Sequence, residues 1–305
     1  MSVSSEFNSK VGIPEQVFPD LKRILAPNPS PMTYWGTNTY LLGKRELALI
    51  DPGPDSQIHL DAIMQSITKE QRITHIFVTH SHIDHSPLSK QISDITSAPI
   101  LAFGDSSAGK SSVMSLLNGL GGGEGLDYNF SPNITLRDRD LTEGDSWTIE
   151  ALHTPGHLGN HLCFSWVEQN CIFSGDLVMD WATSMVSPPD GDLTDFMNSI
   201  SRLMKRKNDG IYFPGHGAPI YNPPKRLREL FDHRKKRETE ILTALSLGLN
   251  TVGKITKKVY KDLDPNLMSA AERNVLAHLI DLVSRNLCEV DGKLTQKAKF
   301  KLFNF

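Results

Sequence analysis

Four side chains of types that bind metal ions lie within six positions of the chain: His80, His82, Asp84 and His85. They follow the apolar run 76–78, and a strand with a period of two residues would point His80 and His82 the same way. Imidazole and carboxylate groups suit borderline cations such as Zn²⁺. A histidine-rich surface turn explains one or two such residues but not four in six positions. The segment therefore predicts a metal site.

Apolar, strand-like runs end in polar turns five times in the first 220 residues. The polar residues that follow these runs are Asp51, His80, His157, Asp176 and His216. Because strand ends share the rim of a sheet, side chains far apart in sequence can meet there. Helical spacing between the runs, as in residues 193–204, mixes helices with the strands. The pattern predicts an α+β body whose functional residues gather at one edge.

This set of residues is large enough for a dinuclear centre, which needs about three ligands per cation and a shared carboxylate. Asp51 is better placed to accept a hydrogen bond from a ligand imidazole than to bind metal itself. Asp84 is the candidate catalytic residue, because it could also hold an attacking, metal-bridging hydroxide in line. The expected cofactors are two divalent cations, with Zn²⁺ preferred and Fe or Mn as alternatives. The assigned ligands are His80, His82 and His157 for one metal, and Asp84, His85 and His216 for the other, with Asp176 bridging.

The motif from His80 to His85 resembles the HxHxDH signature of the metallo-β-lactamase superfamily. Segments 154–157, 174–176 and 214–217 match the remaining ligand motifs of that superfamily in the expected order. The resemblance covers roughly residues 32–220 and implies an αββα sandwich with a dimetal site at one edge of the paired sheets. One departure concerns the pocket wall: Pro87 and Leu88 stand where many relatives have two glycines.

The chain changes character after Pro224. From Lys225 onward it has 17 Lys and Arg against 10 Asp and Glu, whereas the preceding part has 15 against 25. Helical patterns are followed by a hairpin signal in residues 287–295, where Asp291 and Gly292 separate short β-like arms. This predicts a hydrolase domain over residues 1–222 and a small winged-helix-like domain over residues 223–305. Such a tail resembles the superfamily branch named for beta-lactamase-like protein 2, which includes an endoribonuclease and, more distantly, fungal polyketide thioesterases.

A second motif competes with the metal site. Residues 104–111 fit the phosphate-cradling pattern G-x-x-x-x-G-K-S. However, the best aspartate for magnesium, Asp176, is assigned to the dimetal site, and the regular βαβ series of a nucleotide fold is missing. We therefore expect an ordinary loop rich in serine and glycine.

Some residues near the ligands could have either a structural or a chemical role. Apolar side chains of the segment 180–190, including Trp181 and Met185, could form a substrate wall or pack in the core. Tyr212, Asn160 and His161 are equally open. The five histidines that stand alone in the sequence are expected to be structural or at the surface; these are His59, His75, His153, His233 and His278.

The leading functional hypothesis is a metal-dependent hydrolase of a small ester, thioester or lactone. The alternative is an endoribonuclease that acts on single-stranded RNA and uses the basic tail as an electrostatic track. A third hypothesis makes the tail a docking or homodimerisation element. Residues 1–19 lack the features of a signal peptide and no apolar run is long enough to span a bilayer, so a cytoplasmic protein without a membrane partner is expected. Three cysteines without metal-ligand spacing are expected to be reduced.

Overall fold

The computed structural model of the chain describes residues 10–117 and 119–303. Its body contains two facing sheets. The first consists of β1 (Glu15–Phe18), β2 (Leu21–Leu25), β3 (Asn38–Leu42), β4 (Glu46–Ile50), β5 (Arg72–Phe77), β6 (Ile100–Ala102) and β7 (Ile134–Thr135). The second consists of β8 (Leu141–Glu143), β9 (Thr148–His153), β10 (Leu162–Trp166), β11 (Cys171–Gly175) and β12 (Ile211–Pro214). The five apolar runs of the sequence are all strands, as predicted.

Strand direction explains where the polar turns lie. The first sheet follows chain order, and the second has the order β12-β11-β10-β9-β8. Strands β4 to β7 are mutually parallel, as are β11 and β12, and the other neighbours are antiparallel. The carboxyl ends of β4, β5, β11 and β12 therefore open at the rims of the two sheets, and each is followed by a predicted site residue.

Hydrophobic packing produces four layers. Large aromatic side chains fill the space between the two sheets, among them Tyr40, Phe77, Trp147, Phe164 and Phe173. On the outer face of the first sheet lie α1 (Gln57–Gln65) and α2 (Leu88–Thr96), with Leu49 and Ile76 packed against Ile63 and Ile92. Covering the second sheet are α4 (Leu193–Met204) and the start of a long helix, α5 (Pro223–Ser246). A short helix, α3 (Ser112–Leu116), lies before the glycine-rich segment. This is the predicted αββα sandwich.

The C-terminal part forms its own apolar cluster. Helices α5, α6 (Val252–Val259) and α7 (Met268–Ser284) pack with a hairpin of β13 (Cys288–Asp291) and β14 (Lys299–Leu302) around Ile255, Leu279 and Phe300. The hairpin was predicted, but its second arm begins at Lys299, because residues 292–298 form a longer connection. Helix α5 contributes to this cluster and to the one on the second sheet, so the division at residue 222 stays a proposal.

Two further features bear on predictions from the sequence: the state of the cysteines and the character of the helices. Cys163, Cys171 and Cys288 are free and buried. None of the helices in the described ranges combines the length and the apolar character needed to cross a bilayer.

Candidate metal centre

The first four predicted ligands lie on the loop that follows β5. The strand ends at Phe77, so the prediction that it carries His80 and His82 was wrong. Thr79 donates two hydrogen bonds to the Asp51 carboxylate, from its backbone N at 2.7 Å and from Oγ1 at 2.8 Å, and these contacts turn the chain out of the sheet. The rings of His80 and His82 still meet edge to face, with centroids 4.8 Å apart. The two rings therefore lie close together on a loop rather than side by side on a strand.

Two clusters of donor atoms form where the strand ends meet. In the first, His82 Nδ1 lies 3.0 Å from His80 Nε2 and 3.0 Å from His157 Nε2. In the second, His216 Nε2 lies 3.3 Å from His85 Nε2 and 3.2 Å from Asp84 Oδ2. The structure thus brings together predicted ligands that are up to 136 residues apart, from His80 to His216.

Asp176 lies between the two clusters. Its Oδ2 is 3.7 Å from His157 Nε2 and 3.4 Å from His216 Nε2. Its Oδ1 is 3.5 Å from His85 Nε2. A carboxylate in this place faces both sets of imidazoles, as its predicted bridging role requires.

The arrangement fits metal binding on three observations. Donor atoms around a tetrahedral Zn²⁺ are about 3.4 Å apart, given bonds of about 2.1 Å, and the separations in the two clusters are close to this. Among the described residues Asp176 Oδ1 is buried and has no hydrogen-bond partner, and a cation would supply one. Gly215 leaves the necessary space, because a Cβ there would lie 2.5 Å from that same oxygen.

Oxygen atoms behind the clusters fix the orientation of four of the five imidazoles. A carbonyl or carboxylate oxygen can only accept, so the ring nitrogen that faces it carries a proton and the inward nitrogen is the one left to bind a metal ion. Thr79 Oγ1 accepts in the same way, because its own proton is donated to Asp51. The predicted contact of Asp51 with a clustered imidazole is present. The four contacts are His80 Nδ1 to Thr79 Oγ1 (2.9 Å), His85 Nδ1 to Asp51 Oδ2 (3.0 Å), His157 Nδ1 to Met185 O (2.7 Å) and His216 Nδ1 to Gly36 O (3.1 Å).

Burial and charge set the protonation of the site. Burial, followed by the neighbouring His157, lowers the pKa of His82 to about 3. Burial also lowers the pKa of His216, but Asp176 and Asp84 outweigh it and raise that pKa to about 10. Burial raises the pKa of Asp84, but neighbouring histidines outweigh it and hold the pKa below its usual range. The carboxylates are therefore ionised, and their negative charge favours a cation.

The residues left open by the sequence have structural contacts. Asn160 Nδ2 donates to Ser81 Oγ at 2.8 Å, and Tyr212 OH donates to Asp209 at 2.8 Å. His161 Nε2 accepts from the backbone N of Asp176 at 3.2 Å, so it shapes the turn that presents this carboxylate. These contacts favour the structural alternative for all three.

The phosphate-cradle motif is occupied by protein contacts. Lys110 Nζ lies 2.9 Å from Asp190 Oδ1, and Ser111 Oγ donates to Asp192 Oδ2 at 2.7 Å. A Cβ on Gly109 would lie 2.1 Å from Gly159 O, so this glycine serves close packing of two backbones. The motif behaves as the ordinary loop that was predicted.

An aromatic patch lies beside the second cluster. Trp181 stacks on Tyr34 with ring centroids 4.8 Å apart, and Trp35 is 50% exposed. Gly36, next in the chain, provides the oxygen behind His216. The role of residues 34–36 was missed by the sequence analysis. Their signal was an aromatic pair followed by a glycine, two residues before a strand that begins with a polar residue.

Comparisons with known proteins agree with this architecture. Residues 32–216 match the metallo-beta-lactamase superfamily, and residues 251–297 match the beta-lactamase associated winged helix domain. The chain is 29% identical over 296 residues to an atrochrysone carboxyl ACP thioesterase of Paecilomyces divaricatus, covering 93% of this chain and 84% of that protein. It is 32% identical over 284 residues to the beta-lactamase-like protein 2 homolog of Drosophila melanogaster, covering 89% and 88%.

A solved structure shows the same fold. A beta-lactamase domain protein from Burkholderia ambifaria superposes with a TM-score of 0.80, covering 98% of this chain and 96% of that one at 19% identity. The family matches, the shared fold and the clustered histidines and aspartates all point to the same superfamily. The chain therefore belongs to the metallo-beta-lactamase superfamily, whose members are usually hydrolases, and it carries the winged helix domain associated with that superfamily.

Proposed function

We propose that this protein is a dinuclear metal-dependent hydrolase of a small ester, thioester or lactone. The observation that carries the proposal is the convergence of seven donor residues into two clusters joined at Asp176. Zn²⁺ is the preferred metal because imidazole and carboxylate ligands suit it, with Fe or Mn as alternatives. Two cations at the site would supply Lewis acidity toward the substrate carbonyl and lower the pKa of a water molecule to near neutrality.

Asp84 is the residue best placed to act on the attacking water. Its side chain is 21% exposed, whereas that of Asp176 is 9% exposed, so Asp84 is the more accessible of the two carboxylates. Its pKa lies below the usual range, so it is ionised at neutral pH and can accept a hydrogen bond from the water. We assign it the catalytic role of orienting the water, while Asp51 orients the imidazole of His85.

The surroundings of the site favour a carbonyl substrate with apolar parts. Trp35 and Ile83 are about half exposed, and each lies next to a residue of the site. Such side chains can cover the apolar part of an acyl group and exclude water from it. The thioesterase named among the relatives supports the same substrate class.

The RNA alternative has weaker support. Basic side chains of α5 that could track a phosphate backbone lie near glutamates of the same helix, as in the pairs Lys235 with Glu238 and Arg237 with Glu240. Arg234 is buried. These contacts account for part of the basic excess of the tail without a nucleic acid, so RNA hydrolysis stays the second candidate.

Metal analysis followed by a substrate panel tests the proposal. The panel compares an acyl thioester, a lactone, a carboxylic ester, a phosphodiester and single-stranded RNA at low and high salt. We expect hydrolysis of carbonyl substrates with little dependence on salt, loss of activity with a chelator and recovery with Zn²⁺. Cleavage of RNA alone, falling steeply with salt, would select the alternative.

A matched pair of histidine variants identifies the site. His82→Ala should lower kcat/KM by more than about 100-fold, which exceeds the loss usual for residues behind a ligand. His75→Gln, on β5 and in contact with Thr74 and Trp147, should retain activity. Equal rates in the two variants would contradict the assignment.

A further inference from the structure

A buried arginine of α7 joins two loops of the hydrolase domain. The guanidinium of Arg273 donates to the backbone oxygens of Leu120 and Pro188, and its Nε donates to Ser187 Oγ at 2.8 Å. Arg273 is 8% exposed and turned toward the body.

The first of these loops, residues 119–127, lies behind His82. The backbone N of Ile83 donates to Gly125 O at 2.8 Å, and Leu126 forms a β-bridge with His82. A Cβ on Gly125 would lie 3.8 Å from the ring of His82. The position of Leu120 therefore affects the backbone that carries His82.

The second loop, residues 184–190, lies behind His157. Met185 O is the oxygen that contacts His157 Nδ1 at 2.7 Å. The tail holds the residues on both sides of it, since Arg234 donates to Ser184 O and the backbone N of Val186 donates to Asn274 Oδ1 at 3.3 Å.

A direct contact also connects the two loops. The backbone N of Gly123 donates to Asp190 Oδ2 at 2.6 Å. On the other side of the centre, His85 and His216 are oriented by Asp51 and Gly36, which belong to the first sheet and its edge. The C-terminal domain thus contacts the loops behind the cluster that contains His82 and His157. The imidazoles of the other cluster are oriented by residues of the body.

We propose that Arg273 is a positioning residue for the cluster formed by His80, His82 and His157. This inference rests on the proposed metal-dependent function. The planar guanidinium donates in fixed directions, so this side chain helps to fix the spacing of the loop that contacts the backbone of His82 and the loop that supports His157. In this way the winged helix domain helps to hold the loops that support the metal centre of the same chain.

The test is a Zn²⁺ titration of the full-length, metal-free protein against a competing chelator. Arg273→Met keeps the apolar length of the side chain and removes the donors. We expect one of two Zn²⁺ affinities to fall about 10-fold, the lower end of the range for groups that contact ligands directly, while the other stays unchanged. The matched control is Arg285→Met at the end of the same helix, where the guanidinium contacts Glu238 and Asp281 and neither loop. It should keep both affinities.

A second readout separates positioning from general stability. A purely structural arginine would lower the Tm of the metal-free and metal-loaded forms equally, whereas a positioning residue reduces the rise in Tm that Zn²⁺ produces. Arg273→Lys, which keeps a cation without the planar fork, should show an intermediate loss at the same site. Unchanged affinities in both Arg273 variants overturn the inference and leave the proposed function standing. A wild-type protein that binds none of Zn²⁺, Fe²⁺ and Mn²⁺ overturns both.

Discussion

At the scale of single residues, Asp51 connects the first sheet to the metal centre. Its carboxylate accepts from the backbone and the hydroxyl of Thr79 and from His85 Nδ1. Asp51→Asn keeps the shape but replaces one acceptor oxygen with a donor NH₂, so at least one of the three donors loses its partner. We expect Zn²⁺ affinity to fall about 10- to 100-fold, measured by calorimetric titration. The same substitution at the exposed Asp55 of the following turn should have no effect, and equal affinities in the two variants would count against this role.

His59 gives a prediction about pH that is separate from the metal centre. Burial lowers its pKa to about 4, whereas an unfolded histidine has a pKa near 6.5. Between these pH values the unfolded chain binds a proton at His59 that the folded chain does not. The contribution of the neutral His59 to the free energy of unfolding is therefore fully present above pH ~6.5 and is lost as the pH falls toward 4. Acidification from pH 7.5 to 4.5 should cost about 2.5 kcal/mol through this residue.

Urea unfolding of the metal-free protein at those two pH values checks this prediction. His59→Gln retains an N–H able to contact Thr39 Oγ1, which lies 2.7 Å from His59 Nε2. The variant should therefore lose about 2.5 kcal/mol less on acidification than the wild type. An identical loss in both proteins would show that His59 takes up no additional proton on unfolding.

At the scale of elements, Gly156 sets the contact between the turn after β9 and helix α4. Its φ is +142°, and a Cβ there would lie 2.3 Å from Phe196 Cα, a backbone atom that cannot move without the helix. Gly156→Ala should lower the free energy of unfolding by about 3–5 kcal/mol, from overpacking together with backbone strain. Zn²⁺ affinity should also fall, because His157 follows directly.

Gly248→Ala is the matched control for that substitution. Gly248 also has a positive φ, of +81°, but no atom of the described part of the chain lies within 4 Å of a Cβ there. Strain alone should cost about 1 kcal/mol, measured by urea denaturation. Similar losses in the two variants would mean that the contact with α4 contributes little.

Most elements that carry the site were predictable from local sequence. Strands buried on both faces appear as continuous apolar runs, so the ends of β4, β5, β9, β11 and β12 were visible next to their polar turns. The loop geometry at His80 was not, because it depends on hydrogen bonds from Thr79 to Asp51, 28 residues away. A single strand pattern contains no information about such a partner.

The contacts of the tail were also beyond sequence reasoning. A count of charges could not show that Arg234 and Arg273 point inward to backbone oxygens that are 50 and 153 residues away. Arg234 lies on the charged helix α5, and Arg273 lies on the largely apolar helix α7. The packing of whole elements decides whether a guanidinium faces water or a carbonyl oxygen. A count of charges treats every arginine as exposed, and for this reason the basic excess of the tail suggested a nucleic-acid partner.

At the scale of the whole molecule, the two parts of the chain share their packing. Helix α5 places Leu227 and Leu230 on the second sheet and Ile241 in the C-terminal cluster. Ala277 of α7 also belongs to the cluster on the second sheet. Because these helices complete both clusters, separating the parts would expose apolar surface of each. We therefore expect the metal-free protein to unfold in one cooperative transition.

Calorimetry of two core variants tests this cooperativity. Leu279→Ala in the C-terminal cluster and Leu49→Ala under α1 and α2 each remove a buried leucine and should cost about 3 kcal/mol. If the parts are coupled, both substitutions lower the Tm of the same single transition, with calorimetric and van't Hoff enthalpies equal. If the parts are independent, Leu279→Ala splits off an early transition and leaves the later one at the wild-type temperature. The coupled outcome is expected because the tail holds the loops behind His82 and His157. If the body kept its stability after the tail unfolded, other contacts would have to order those two loops.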